Sequence, residues 1–275
     1  MIGREDIARA KRIVVKVGSS SISGANAGQL VQLVTALAGV HARGADVILV
    51  SSGAIATGMP YLKLDSRPTD LATQQAAAAV GQNVLIFRYQ ESLDRYGIVA
   101  GQVLLTAGDL ENATHRSNAE RAMDKLLDLR ILPIVNENDT VATHEIRFGD
   151  NDRLAALVSV LVRADLLILL SDVDALYTRP PHEPGATRIE HVAFGDPLDD
   201  VVIGSVGTGV GTGGATTKVA AARLAADAGA GVLLAATARV AEVLRGDPVG
   251  TWFEPSPTGR RVEPAMAGDV EPLSD

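Results

Sequence analysis

The chain has 275 residues, of which 47% are hydrophobic, and it carries a net charge of 25 − 33 = −8 and no cysteine. Its length fits one large α/β domain or two modest ones. The missing cysteine excludes disulfides, thiolate zinc sites and cysteine nucleophiles, and the acidic balance disfavours nucleic acid or an anionic membrane as a partner. With no bilayer-length apolar run and no leader-like start, we expect a soluble, cytoplasmic protein.

Short apolar runs alternate with longer stretches of helical spacing. In chain order we predict a strand at 13–17, a helix at 27–42, a strand at 47–50, a helix at 71–96 broken near Gly81, a strand at 98–105, a helix at 117–129, a strand at 132–135, a partly alternating stretch at 140–148, a helix at 153–162, a strand at 166–170, a helix at 217–228, a strand at 231–235 and a short helix at 240–244. Apolar strands separated by helices indicate a mostly parallel sheet covered on both faces, and hence an α/β fold, a three-layer α/β/α sandwich.

The first 254 residues contain no clear linker, so we predict one compact unit over 1–254. The irregular stretches within it are 179–184, which is rich in proline, and 204–214, which is rich in glycine. Residues 255–275 form a polar segment punctuated by prolines and without periodicity, for which we predict disorder or loose attachment.

The first strand carries a lysine and runs into a turn of small residues. Lys16 lies in a β-branched run, and Gly18 opens the turn that follows. A buried lysine needs a partner, and backbone N–H groups after a glycine can cradle phosphate. The alternative is an edge strand on which Lys16 faces water.

Two further turns of small residues have the same relation to strands and helices. Ser52 and Gly53 follow the second strand, where a tight βα turn is the alternative to a site. Residues 204–218 are rich in glycine and lead into a predicted helix with Lys218 in its first turn. A cation there opposes the helix dipole, which favours a phosphate-binding role over a surface loop. The match to G-x-G-x-x-G is weak as a dinucleotide fingerprint, and the stretch is not a P-loop.

Acidic and amide residues accompany these turns in two clusters. Residues 136–139 (NEND) follow a strand, and residues 149–152 (GDND) precede a helix, where Asp150 or Asn151 could also act as an N-cap. Ser171 and Asp172 follow the apolar strand at 166–170. In an open parallel sheet, ligands bind outside the carboxyl ends of the strands, so these clusters are expected to share one site.

The five motifs together resemble the glutamate 5-kinase family within the amino acid kinase superfamily. They are, in order, VKVGSS at 15–20, SSGAI at 51–55, NEND at 136–139, GDND at 149–152 and GTGGATTK at 211–218. The resemblance covers about residues 10–254 and implies a kinase that transfers phosphate from ATP to the γ-carboxylate of glutamate. It also implies that the N-terminal part binds the amino acid and that the part from about residue 165 binds ATP.

The resemblance assigns a role to individual residues. Catalysis would fall to Lys16 and Lys218, oriented by Asp152. The residues implied for amino-acid binding are Ser52, Gly53, Asn136, Asp139, Asp150 and Asn151. Those implied for ATP binding are Lys16, Gly18, Ser171, Asp172, Thr212, Gly213, Gly214, Ala215, Thr216, Thr217 and Lys218. No metal ligand is expected from protein side chains, since Mg²⁺ would be bound through the phosphates of ATP.

Other implications concern partners and regulation. The resemblance implies the first step of proline biosynthesis, inhibition by proline, a homo-oligomer and a glutamyl phosphate reductase as a partner. It also leads us to expect a form without the C-terminal PUA domain that many family members carry. The alternatives are acetylglutamate kinase or another amino acid kinase, and a non-catalytic nucleotide or amino-acid sensor.

Overall fold

The structure is a computed structural model that describes residues 2–22, 26, 28–142, 151–199, 201 and 214–258. The predictions for Asp150, Thr212 and Gly213, most of the alternating stretch at 140–148 and the tail from residue 259 lie outside the described residues.

Over the described part of the chain, eight strands form the central sheet and two form a separate hairpin. The strands are β1 (Arg12–Val17), β2 (Asp46–Val50), β3 (Ala100–Leu105), β4 (Leu132–Glu137), β5 (Leu166–Ser171), β6 (Leu176–Tyr177), β7 (Arg188–Ile189), β8 (His191–Val192), β9 (Gly231–Ala236) and β10 (Thr251–Phe253). The sheet order is β3-β4-β2-β1-β5-β9-β10-β8, and β6 pairs with β7. Strands β3, β4, β2, β1, β5 and β9 run parallel to one another, and β10 is antiparallel to β9.

The helices cover both faces of the sheet. They are α1 (Gly28–Ala42), α2 (Ala54–Gly58), α3 (Leu71–Asp94), α4 (Ala107–Glu111), α5 (Ala113–Asp128), α6 (Asn151–Leu161), α7 (Ala215–Asp227) and α8 (Val240–Arg245), with short 3-10 helices at Arg4–Arg9, Met59–Leu62 and Thr237–Arg239. One core cluster joins the sheet to α1, α8 and the end of α3, and the other joins it to α5, α6 and α7. The predicted three-layer α/β/α sandwich is therefore confirmed.

The alternation of side chains along β1 explains why the two cores are separate. Val15 and Val17 pack with α1 on one face, whereas Val14 packs with α6 and α7 on the other. Side chains two residues apart in a strand point to the same face. Lys16 consequently shares the face of Val14 and lies under α6.

Two expectations need correction, and the alternative of an edge-strand position for Lys16 is excluded. The helix predicted to break near Gly81 is continuous, because Gly81 lies against α2, where a side chain would clash with the Ala54 carbonyl. Lys16 does not lie on an edge strand, since β1 is hydrogen-bonded on both sides and Lys16 is 5% exposed. Helix α5 begins earlier than predicted because Asn112 caps it, its Oδ1 accepting from the Thr114 and His115 N–H groups.

Candidate functional site

The carboxyl ends of four neighbouring strands bring the predicted motifs to one edge of the sheet. Strands β4, β2, β1 and β5 are adjacent and parallel. Residues 136–139, the turn at Ser52 and Gly53, the turn at Gly18 and the pair Ser171 and Asp172 are all located where these strands end. Chain segments far apart in sequence thus meet at the edge where open parallel sheets bind ligands.

Three charged side chains lie buried at this edge. The Lys16 Nζ lies 2.5 Å from Asp152 Oδ1, and the Lys218 Nζ lies 2.9 Å from Asp152 Oδ2. The side chain of Asp152 is fully buried, and those of Lys16 and Lys218 are 7% and 11% exposed. Each carboxylate oxygen therefore faces one ammonium group, and the cluster as a whole carries one net positive charge.

The helices explain how this cluster forms. Asp152 is in the first turn of α6, where a carboxylate suits the helix dipole, and Lys218 is in the first turn of α7, where a cation opposes it. Helices α6 and α7 pack together on the face of the sheet that carries Lys16. Asp152 thus supplies the compensating charge that the position of Lys218 requires.

Opposing influences act on the pKa of Asp152. Burial by itself would raise this pKa, but the charges and hydrogen bonds of Lys16 and Lys218 together outweigh burial and hold it below its usual value. Asp152 is therefore ionised at neutral pH and holds the two ammonium groups in place.

Amide side chains form a second cluster beside the lysines. The Asn151 Nδ2 donates to the Asn136 Oδ1 at 2.7 Å and to the backbone oxygen of Ser51 at 2.5 Å. Asn151 directly precedes Asp152 at the start of α6, so consecutive residues contact the amide cluster and the lysine cluster. Since both hydrogens of Nδ2 are used, the atom that Asn151 can offer a ligand is its carbonyl oxygen, an acceptor.

The turn that follows β2 contacts the turn that follows β1. The Ser52 hydroxyl donates to the backbone oxygen of Val17 at 3.1 Å. Gly53 has a φ of 90°, and a Cβ atom there would lie 2.4 Å from the Cβ of Ser19. Gly53 is therefore required both by its backbone conformation and by the approach of the neighbouring turn.

Two other glycines lack such a reason. A Cβ at Gly18 would meet only the hydroxyls of Ser20 and Ser21, at 3.8–3.9 Å, and a Cβ at Gly214 would meet nothing within 4 Å. Neither has a positive φ. Among the described residues, there is therefore room for a side chain at both positions, at the end of β1 and at the start of α7.

The remaining described residues predicted for ATP binding are located at the start of α7 and at the end of β5. Ala215 and Thr216 are exposed in the first turn of α7, and the Thr217 hydroxyl donates to the Gly214 carbonyl at 2.9 Å. The Ser171 hydroxyl donates to the Asp172 carboxylate at 3.0 Å. The structure thus brings together the described members of the predicted set, while their roles stay predictions.

Sequence reasoning did not single out three polar residues behind this site. Gln82 and Tyr89 of α3 are buried, and the Tyr89 hydroxyl lies 3.0 Å from the Ser51 hydroxyl. Burial raises the pKa of Tyr89 above its usual value. The Thr237 hydroxyl donates to the Ser171 backbone oxygen at 3.1 Å. The available signal in the sequence was glutamine and tyrosine within the alanine-rich helix, because such polar groups need partners when a helix buries them.

Metal binding and membrane insertion leave no sign in the described structure. No group of three or more histidine, aspartate or glutamate residues that could bind a metal ion occurs over the ranges the structure describes. Among the described helices, none combines the length and hydropathy that crossing a bilayer requires.

The chain is similar to known proteins in sequence and in architecture. A model of the Amino acid kinase family matches residues 11–235. A glutamate 5-kinase of Clavibacter michiganensis is 79% identical over 92% of this chain and 97% of its own length, and one of Leifsonia xyli is 74% identical over 92% and 94%. A glutamate 5-kinase of Streptomyces coelicolor is 56% identical, and this chain covers 70% of its length.

A solved structure supports the fold independently of sequence. Carbamate kinase from Giardia lamblia bound to AMP-PNP has a TM-score of 0.67, covers 90% of this chain and is 14% identical to it. That likeness concerns the architecture, whereas the sequence relatives define the family. The chain belongs to the amino acid kinase family and, within it, to the glutamate 5-kinases.

Proposed function

We propose that this protein transfers the γ-phosphoryl group of ATP to the γ-carboxylate of L-glutamate, forming γ-glutamyl phosphate and ADP as the first step of proline biosynthesis. The observation that carries the proposal is the buried cluster of Lys16, Asp152 and Lys218 next to the amides of Asn136 and Asn151. The 79% identity to a glutamate 5-kinase supports the choice of substrate.

The reaction brings two anions together, and the charges of this site suit that problem. A carboxylate with a pKa near 4.3 is already ionised at neutral pH, so its oxygen can attack phosphorus without a general base. As the new O–P bond forms, the bond to the bridging oxygen breaks and ADP leaves with that electron pair. Phosphoryl transfer depends mainly on alignment and on stabilisation of the negative charge.

Each member of the lysine cluster has a distinct role in this proposal. Lys16 and Lys218 place two positive charges at the transferring group, in a site where burial strengthens electrostatic interactions. Asp152 holds both ammonium groups and does not itself transfer a proton, because its pKa is lowered. The net positive charge of the cluster attracts the phosphates.

Substrate binding would be divided between the two ends of the site. Ser52, Gly53, Asn136, Asp139, Asp150 and Asn151 would bind glutamate. The carbonyl oxygen that Asn151 offers suits the substrate ammonium, as does the carboxylate of Asp139. The room that the described residues leave at Gly18 and Gly214 supports approach of the ATP phosphates to backbone N–H groups at the start of α7. Ser171, Asp172 and residues 212–217 would line the rest of the nucleotide site.

Mg²⁺ is expected to accompany ATP. Both carboxylate oxygens of Asp152 face lysines, so this residue is committed to cations already present. The donor set therefore fits an ion bound mainly through the phosphates of ATP, and such an ion would neutralise phosphate charge. A homo-oligomer, inhibition by proline and a reductase partner remain predictions from the family resemblance, and a cytoplasmic location remains a prediction from the sequence composition.

The test measures ADP release with ATP and Mg²⁺, comparing L-glutamate with N-acetyl-L-glutamate and trapping acyl phosphate with hydroxylamine. We expect hydroxamate from L-glutamate alone, since an acetylated nitrogen leaves Asp139 without its cationic partner. Turnover of only the acetylated substrate would reassign the chain to acetylglutamate kinases. A folded protein that binds ATP but turns over neither substrate would favour a sensor.

A further inference from the structure

Helix α3 reaches the candidate amino-acid site through Gln82. This side chain is 8% exposed and lies against the end of β4. Its Oε1 accepts from the Asn136 Nδ2 at 3.2 Å, and its Nε2 donates to the backbone oxygen of Glu137 at 3.3 Å. Gln82 thus contacts Asn136, a proposed glutamate-binding residue, from the side of α3.

The hydrogen bonds allow one orientation of the Asn136 amide. The Asn136 Oδ1 accepts from the Asn151 Nδ2 and from the Glu137 N–H at 2.9 Å. If the amide were rotated by half a turn, its NH₂ group would face two donors and its oxygen would face the acceptor oxygen of Gln82. Gln82 is held in turn by the Glu137 carbonyl, which can only accept. The hydrogen bonds therefore run in one direction: Asn151 donates to Asn136, Asn136 donates to Gln82, and Gln82 donates to the Glu137 carbonyl.

The backbone explains why Gln82 can reach this position. The preceding residue, Gly81, packs against α2 so closely that a Cβ atom would lie 1.8 Å from the Ala54 oxygen. This contact fixes the position of α3 relative to α2. Helix α2 in turn begins next to Gly53. About two helical turns further along α3, Tyr89 contacts Ser51, whose backbone oxygen is the second acceptor for Asn151. Helix α3 thereby supports both groups that hold the Asn151 amide.

We propose that Gln82 is a positioning residue for glutamate, acting through the orientation of Asn136 and Asn151. The inference rests on the proposed function. Without Gln82, the Asn136 amide loses the acceptor for its Nδ2, and the Ser51 backbone oxygen is left as the one acceptor of fixed orientation for the Asn151 Nδ2. The carbonyl oxygen that Asn151 presents to the substrate is then held less firmly. Binding of glutamate weakens, while the lysine cluster and the ATP side of the site keep their contacts.

The test compares Gln82→Met with wild type and with Gln90→Met. Gln90 is the matched control because it is also on α3, its amide also bonds to backbone groups (those of Ile98 and Ala100), and it faces the opposite edge of the sheet. For Gln82→Met we expect the KM for glutamate to rise about tenfold, the effect of losing one well-placed hydrogen bond. The KM for ATP and kcat should stay near wild type, and Gln90→Met should change none of these constants. A wild-type KM for glutamate in folded Gln82→Met would overturn the proposal.

A double-mutant cycle identifies the route of the effect. If Gln82 acts through Asn136, adding Gln82→Met to Asn136→Ala should raise the KM for glutamate little further. Effects that multiply as they do for independent sites would overturn the inference. If Gln82→Met does not fold, Gln82→Asn keeps an amide that is too short to reach both partners, and the same rise in KM is expected.

Failure of the inference is distinguishable from failure of the proposed function. Wild-type protein that forms no hydroxamate from L-glutamate would refute the function before any variant is compared. Wild-type protein that forms hydroxamate, with the KM for glutamate unchanged by Gln82→Met, would refute only the role of Gln82.

Discussion

A single buried charge is costly, and the site contains three buried charges, of which Asp152 contacts both lysines. Asp152 lies between Lys16 and Lys218, and each pair is separated by less than 3 Å. Removing one member of a buried ion pair leaves the other without compensation, which costs more than the pair contributes. Lys16 is on a central strand, whereas Lys218 is on a helix. We therefore expect substitution of Lys218 to affect catalysis without preventing folding.

Lys218→Ala is expected to lower kcat by about 10²–10³-fold, because one of the two charges facing the phosphoryl group is lost. The protein should stay folded, since Asp152 keeps its ion pair with Lys16. The measurement is steady-state ADP release together with a circular dichroism spectrum. Lys125→Ala on the exposed face of α5 is the control for the same substitution. A near-normal kcat would remove Lys218 from the mechanism.

The lowered pKa of Asp152 predicts how stability depends on pH. A carboxyl group whose pKa is lower in the folded state stabilises the fold above its ordinary pKa of 3.8, and this stabilisation is lost as the pH falls through the folded value. Near pH 7, Asp152→Asn should lower the free energy of unfolding by about 3–5 kcal/mol. Urea unfolding at a series of pH values should show that the difference in free energy of unfolding between wild type and Asp152→Asn decreases only below pH 3.8. A difference that stays constant down to pH 3 would contradict the ion-pair explanation.

Among the elements, α2 and α3 have the tightest packing near the site. A Cβ atom at Gly81 would lie 1.8 Å from the Ala54 oxygen, and one at Gly58 would lie 1.9 Å from the Ala77 oxygen. These neighbours are backbone atoms, which cannot turn away as a side chain can. The two glycines therefore set the distance between the helices, and hence the place of Gln82 behind the amide cluster.

Gly81→Ala is expected to lower the free energy of unfolding by about 1–3 kcal/mol, the usual cost of overpacking. Because α3 would move away from α2, the KM for glutamate should rise as well. Gly39→Ala on α1 is the matched control, since nothing lies within 4 Å of its added Cβ. That control should gain about 0.5–1 kcal/mol from helix propensity. Equal effects of the two substitutions on stability would show that the close contact does not constrain the helices.

At the scale of the whole molecule, the two edges of the sheet carry different clusters of charged side chains. The carboxyl edge holds the candidate site, and the amino edge holds ion pairs centred on Arg12. The Arg12 guanidinium contacts Asp46 and Asp124 at 3.1 Å each and donates to the Val162 carbonyl at 2.9 Å. This side chain joins β1 and β2 to the helices α5 and α6 without approaching the lysine cluster.

Arg12→Leu is expected to lower the free energy of unfolding by about 1–3 kcal/mol, because three acceptors lose a charged donor. The value of kcat and both KM values should stay unchanged. Urea unfolding and steady-state kinetics on the same preparation provide the check. As a control, Arg9→Ala removes an ion pair whose arginine side chain is 85% exposed, and it should change stability by less than about 1 kcal/mol. A loss of activity in stable Arg12→Leu protein would contradict this division of the two edges.

Local patterns in the sequence were enough to predict much of this protein. Apolar runs marked the central parallel strands, and small residues after them marked the turns, because a strand buried on both faces reads as a continuous hydrophobic segment. The motifs at the strand ends then predicted which edge binds ligands and identified the family, which the relatives confirm. Short elements such as α2, β8 and β10 escaped because a few residues do not establish a period.

Only the tertiary structure decided which residues face one another. Asp152 and Lys218 are 66 residues apart, and Gln82 and Asn136 are 54 apart. No local pattern contains such contacts, since they arise from the sheet order and from the packing of α6 on α7 and of α3 on α2. The same packing kept α3 continuous through Gly81, because a close neighbour rather than a helix break explains that glycine. The sequence by itself therefore determined the fold class and the sheet edge at which the candidate site lies, and the tertiary structure determined the partners of the buried charges and amides.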